Sequence, residues 1–187
     1  MVLPIYLYGS EILRKKAKEV DISNMELKDE IRQLIEDMKE TMTKADGVGL
    51  AAPQVGKSIR VIVVDGALLG SEDPKLAGFN RAMINPVILE ESQQTVEYNE
   101  GCLSIPDIHA AVVRPEKIRI SYYDTDFVEH EEILDGFACR MVQHEMSHLD
   151  GLLFTDLVAP IRKKMIQSRL NNIKSGKVNT FYKTIVK

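Results

Sequence analysis

The run Gln143-His144-Glu145-Met146-Ser147-His148 contains the pattern H-E-x-x-H. Residues four apart share one face of a helix, so His144 and His148 aim both imidazoles at a single point, where a divalent metal ion fits. A catalytic site of the zinc type takes three protein ligands and keeps a fourth position open for water or substrate. Cys102, in Glu100-Gly101-Cys102-Leu103-Ser104, is the expected third ligand. A thiolate suits borderline-soft metals, and Gly and Ser beside it read as a turn rather than a core. Glu145 is rotated about 100° from His144 around the helix, beside the ion rather than at it, which suits a general base acting on water. In Gly47-Val48-Gly49-Leu50-Ala51-Ala52-Pro53-Gln54, the glycines let backbone approach a ligand closely and Gln54 offers a side-chain amide.

Other chemistries would use these residues differently. A peptidase of the H-E-x-x-H type that cuts internal peptide bonds needs a third ligand downstream, where Asp150 and Asp156 are the sole carboxylates and no further His, Cys or Glu follows His148. A non-catalytic protein with a structural zinc needs a closed set of four, with His109, His130 or Cys139 joining. An open ligand position separates the catalytic readings from the structural one.

Taken together, Gly47 to Gln54, Glu100 to Ser104 and Gln143 to Leu149 resemble, in order and spacing, the three signature motifs of the peptide deformylases. The resemblance implies removal of the N-formyl group from the initiator methionine of new polypeptides, with release of formate. It implies iron(II) as the native ion, with zinc or nickel able to occupy the same ligands Cys102, His144 and His148. It assigns Glu145 as general base and makes the Gln54 side chain and the Leu103 backbone N–H the donors to the tetrahedral oxyanion. By position, Val48, Gly49, Gly101, Ile105, Phe137, Met141 and His144 should line the pocket for the substrate methionine. Two positions depart from the family pattern: Ser147 stands where Asp is usual, and His109 where many members place a substrate-contacting arginine. An arginine that would pair with that Asp needs another partner.

A chain of 187 residues is expected to form one catalytic domain over 1–187, with core enough to fold without staples. No stretch approaches the roughly 20 apolar residues that span a bilayer. The apolar opening, Met1 to Tyr8, lacks a basic flank and a small-residue cleavage site, so a cytoplasmic monomer is expected. In that compartment Cys102 and Cys139 are not expected to pair, and Cys139 reads as packing. Residues 160–187 hold eight Lys and Arg and no acid, so this basic extension carries +8 and the rest of the chain −12 against a total of −4. Its basic face could meet phosphate-rich RNA at the ribosome surface.

The elements that must position these residues follow from periodicity. A short helix is expected near Glu11 to Ala17. Ser23 with Glu26 reads as a capping box, and Leu27, Ile31, Leu34, Ile35, Met38 and Met42 mark a helix over about 24–43 that Ala45-Asp46-Gly47 ends. Gly47 to Gly56 reads as a loop, and so does the polar stretch from Gly66 to Asn80, an insertion or flap. Strands are expected over Ile59–Val64, Met83–Glu90, Thr95–Tyr98, Lys117–Tyr123 and Phe127–Leu134, in an antiparallel, meander-like order. Asp135 can cap a central helix over Gly136–Leu149 that Gly151 ends. A last helix over 161–174 should bury Ile161, Met165, Ile166, Leu170 and Ile173, with Gly176 as its stop and Val178–Val186 returning as a strand. The expected architecture is α+β, antiparallel sheets around a central metal-binding helix.

Overall fold

A computed structural model describes residues 1–186. The chain opens with strand β1 (Ile5–Tyr6) and a 3-10 turn at Glu11–Arg14, shorter than the helix expected there. Helix α1 (Leu27–Lys44) starts later than the capping box proposed. Ser23 turns its hydroxyl to Asp21, and the Asn24 side chain accepts the Glu26 N–H, so local turns capture these groups before a helix can use them. One face of α1 buries Ile31, Ile35, Met38 and Met42, each contributing about 1.5–3 kcal/mol. Asp46, not Gly47, takes the left-handed conformation that ends it, with φ 54°.

The stretch expected as a loop is an element. Strand β2 (Gly49–Ala51) pairs antiparallel with β3 (Val61–Asp65), and a 3-10 turn at Ala52–Val55 follows β2. Residues 66–79 form two 3-10 turns, Ala67–Leu69 and Pro74–Leu76, anchored by buried Leu76 and Phe79. Then come β4 (Asn80–Glu91), β5 (Thr95–Cys102), β6 (Ile105–Pro115), β7 (Lys117–Tyr123) and β8 (Glu129–Asp135). β6 forms where no strand was expected, and its Ile108, Ala110, Val112 and Arg114 alternate inward on the period of two that marks a strand. Helix α2 (Gly136–Leu149) has the boundaries expected, but Asp135 stands at its N-terminus without a side-chain capping bond. Helix α3 (Pro160–Lys174) and strand β9 (Thr184–Ile185) complete the chain.

β2-β3-β4-β7-β8 form one antiparallel sheet and β5-β6 a separate antiparallel hairpin, whereas β1 and β9 pair parallel. β9 is far shorter than the strand expected over 178–186. Helix α2 buries Met141, Val142, Met146 and Leu149 with Ile62, Val64, Met83 and Ile120 of the larger sheet. On its hairpin side Arg140 donates to the carbonyls of Val96 and Val112, which ties the helix to the second sheet. α2 therefore meets both antiparallel sheets. Helix α3 buries Ile166, Leu170 and Ile173, but Ile161 and Met165 are exposed. At about 100° per residue they stand roughly 100–140° round the helix from Ile166, on the face turned to solvent.

Candidate active site

Three elements converge on one cleft of about 520 Å³: β2 and the turn after it, the tip of the β5–β6 hairpin, and α2. Cys102 ends β5, and Leu103-Ser104 make the two-residue turn that pairs Cys102 with Ile105. α2 presents His144 and His148 from the other side, their ring centroids 5.3 Å apart. Ligand atoms of Cys102, His144 and His148 all lie within 4.8 Å of one another. Among the described residues this is the one such group of three or more, and the Cys102 Sγ to His148 Nε2 distance is 3.4 Å. Two donors at about 2.3 Å and 2.0–2.1 Å around a tetrahedral ion stand roughly 3.5 Å apart, so thiolate and imidazole are already spaced for one.

The alternatives lose their ligands. Asp150 is paired with Arg60 at 3.0 Å, and Asp156 with Arg14 at 2.5 Å. His130 is bonded to Asp124, and Cys139 lies under the Pro115 carbonyl with burial pushing its thiol up to about 11. Neither cysteine is in a disulfide. His109 does border the cleft, but it packs against Gly101, where a Cβ would come within 2.6 Å of its ring. It stands outside the three-residue cluster.

Beneath the cluster sits a buried ionic group that sequence reasoning missed. Glu100 accepts from Arg114 Nε at 2.8 Å and Nη2 at 3.0 Å, from Arg140 Nη1 at 2.6 Å, and from His144 Nδ1 at 2.7 Å. Burial opposes its charge, but hydrogen bonds from His144 and Arg114 outweigh burial and hold Glu100 well below the usual carboxylate range. An ionised carboxylate only accepts, so His144 Nδ1 carries a proton, and Nε2 is the ring nitrogen left to offer its lone pair to a bound cation. Arg114 also donates to Ser147 Oγ at 2.9 Å. The arginine thus has Glu100 as its charge partner and needs from residue 147 only a neutral oxygen.

Glu145 is fully enclosed. Burial pushes its carboxyl up to about 7, and Oε2 has no hydrogen-bond partner among the described residues. It can stand where it does because Gly49 has no side chain: a Cβ there would lie 2.9 Å from both Cγ and Cδ of Glu145. Gln54 is buried and oriented at both ends. Its Oε1 accepts the Ala51 N–H at 2.8 Å, which turns Nε2 toward Ser104 Oγ at 3.1 Å and Cys102 Sγ at 3.5 Å. Val48, Gly49, Gly101, Ile105, Phe137 and Met141 all border the same cleft. Segments far apart in sequence therefore bring together a soft cation site, a protonatable carboxylate without a partner, an aimed amide donor and an apolar recess. That combination can hydrolyse an acyl bond.

A family model described as polypeptide deformylase matches residues 2–164. A peptide deformylase of Christiangramia forsetii is 42% identical over 98% of this chain and 95% of its own length. One of Salinibacter ruber is 43% identical over 100% and 96%. Among solved structures, a peptide deformylase from Plasmodium falciparum aligns with a TM-score of 0.81 and 35% identity, covering 92% of this chain and 95% of that one. A peptide deformylase from Thermotoga maritima aligns with a TM-score of 0.76 and 39% identity, covering 86% and 99%.

Proposed function

Since the chain belongs to the peptide deformylase family and removes the N-formyl group from newly made polypeptides, we propose that Cys102, His144 and His148 hold its single divalent ion and that Glu145 moves the proton. The observation that carries this reading is the ligand trio with an unpartnered, buried carboxylate beside it. A bound ion supplies Lewis acidity, which lowers the pKa of water from 15.7 toward about 7. Glu145, its carboxyl raised toward neutrality by burial, takes the proton from water and returns it to the departing amine. Gln54 Nε2 and the Leu103 N–H donate to the oxyanion, each worth roughly 10²-fold to 10³-fold in rate. Val48, Ile105, Phe137 and Met141 receive the methionine side chain, with Gly49 and Gly101 giving backbone access. Glu100 holds His144 in its ligating tautomer.

Iron(II) is the native ion in this reading, with zinc or nickel as substitutes. Helix α2 is then a metal-binding helix between the sheets, inside a single catalytic domain that spans the chain. The enzyme acts as a cytoplasmic monomer; no helix among the described residues is long and apolar enough to cross a membrane. The basic extension from residue 160 docks on the ribosome surface, where formylated chains emerge.

The test is anaerobic purification with metal analysis, joined to formate release from a formyl-Met peptide. Cys102→Ala should lose most of its metal and its activity together. Glu145→Ala should keep metal and fold while turnover stops. Full metal and rate in the first variant, or retained turnover in the second, would overturn the assignment.

A further inference from the structure

The family model stops at residue 164, yet Asn179, Thr180, Phe181 and Tyr182 line the cleft. They arrive there because the chain is fixed on either side of them. Helix α3 is anchored by buried Ile166, Leu170 and Ile173 and ends at Lys174, and Gly176 just beyond it is left-handed with φ 75°. Beyond the strap, the Ile5 N–H donates to the Lys183 carbonyl at 2.9 Å and the Leu7 N–H to the Ile185 carbonyl at 2.8 Å. Between these anchors Tyr182 dips inward, half-buried, and donates its hydroxyl to the Leu103 carbonyl at 2.8 Å. Thr180 Oγ1 in turn donates to the Tyr182 carbonyl at 2.8 Å.

The Leu103 carbonyl belongs to the two-residue turn between Cys102 and Ile105, where Leu103 and Ser104 lie outside the strand ladder. Tyr182 supplies a partner for the Leu103 carbonyl, and the Tyr8 N–H supplies one for the Ser104 carbonyl at 2.8 Å. Both are contributed by the ends of the chain. Phe181, its ring edge-on to Tyr182 with centroids 5.2 Å apart, remains 73% exposed at the cleft. An aromatic ring held at a cleft mouth and left uncovered gains its burial when a ligand arrives.

We propose that this C-terminal strap completes the substrate cleft: Tyr182 is a positioning residue for the Leu103 turn, and Phe181 is an apolar contact for substrate residues that follow the formylated methionine. The inference rests on the deformylase reading of the cleft. A hydroxyl bonded to the Leu103 carbonyl fixes the peptide plane between Leu103 and Ser104, and through that residue it restrains the adjoining Leu103 N–H and Cys102. An apolar platform at the mouth favours peptides long enough to reach it, with a hydrophobic side chain beyond the methionine.

The experiment compares the metal-loaded, full-length enzyme with Tyr182→Phe and Phe181→Ala on a formyl-Met-Ala dipeptide and on a formyl-Met tetrapeptide carrying Leu at its third position. Tyr182→Phe keeps the ring and removes one hydrogen bond, and it should lower kcat about tenfold on both substrates while KM and metal content stay near wild type. Phe181→Ala should raise KM for the tetrapeptide about fivefold more than for the dipeptide. Wild-type kcat in Tyr182→Phe, a loss no larger than its loss of folded protein by circular dichroism, or an equal KM change on both peptides in Phe181→Ala would overturn the strap's role. Absence of formate release by the wild type on either peptide would instead overturn the underlying reading of the cleft.

Discussion

At the scale of residues, the site depends on what is missing as much as on what is present. Gly49 and Glu145 share one volume, so a methyl group at 49 must displace a carboxylate that is itself 5% exposed and has little room to move. A misplacement of about 1 Å in reacting groups typically costs on the order of 10²-fold. Gly49→Ala should therefore lower kcat by roughly that factor with metal content intact, because the atoms nearest a Cβ at 49 all belong to Glu145. Formate release normalised to bound metal checks this, and a wild-type rate would show that Glu145 is not held where chemistry needs it. Glu100 carries the opposite kind of dependence. Neutralising it leaves Arg114, Arg140 and His144 around an uncharged side chain in a buried place. Glu100→Gln should destabilise the fold by about 3–5 kcal/mol, as breaking a buried ionic group does, and weaken metal retention about 10-fold to 100-fold. Urea unfolding and competition with a chelator read the two effects separately; a stable variant with wild-type metal affinity would refute the orienting role.

At the scale of elements, the sequence was most informative where a period ran long. The faces of α1 and α2 were legible from spacing, and so was β7, whose alternation is clean. β2 was hidden because three residues that start with a glycine and lie just before Pro53 carry too little pattern, and they become a strand only by pairing with β3. Ile161 and Met165 follow the same i, i+4 spacing as Ile166 and Leu170 but on a stripe about 140° away, and nothing local to the helix tells which stripe meets the body. Of the site, the trio and Glu145 were legible as motifs. The Glu100, Arg114 and Arg140 group was not, since separations of 14 and 40 residues carry no period. Another cross-strand group behaves the same way and makes a pH prediction. Glu132 on β8 accepts from Arg81 on β4 at 2.9 Å and from the Tyr122 hydroxyl on β7 at 2.5 Å, tying three strands. The Arg81 guanidinium holds the Glu132 carboxyl below its ordinary value of 4.5. A folded-state value below the unfolded one means that the stabilisation is complete above about 4.5 and is lost as pH falls through the folded value. For a partly exposed group it is about 1 kcal/mol or less. The Tm gap between wild type and Glu132→Gln should thus be largest near neutral pH and close as pH falls toward 3; a gap independent of pH would refute the tie.

At the scale of the whole molecule, charge is divided between two regions, +8 on residues 160–187 and −12 on the rest. The fold decides which of those cations face outward. Lys163 lies 3.7 Å from Asp156, and the stem of Lys174 packs over Gly9, so neither is a wholly free charge. Arg162, Lys164 and Arg169 are exposed and form no ion pair among the described residues. Exposed Ile161 and Met165 lie beside them, giving α3 an outer face both basic and apolar. Single exposed apolar side chains are ordinary on a solvated face, but a surface docked on ribosomal phosphate and protein would use both kinds of group. Contacts to phosphate release counterions, so each one lost should reduce the steepness with which binding falls as salt rises. Reversing all three, as Arg162→Glu, Lys164→Glu and Arg169→Glu, should abolish cosedimentation with ribosomes at low salt. Hydrolysis of a short formyl peptide should stay within about twofold, since none of these side chains lines the cleft and exposed charges are screened by salt. Cosedimentation that is unchanged by the reversal and insensitive to salt would leave α3 as no more than the outer wall of the fold.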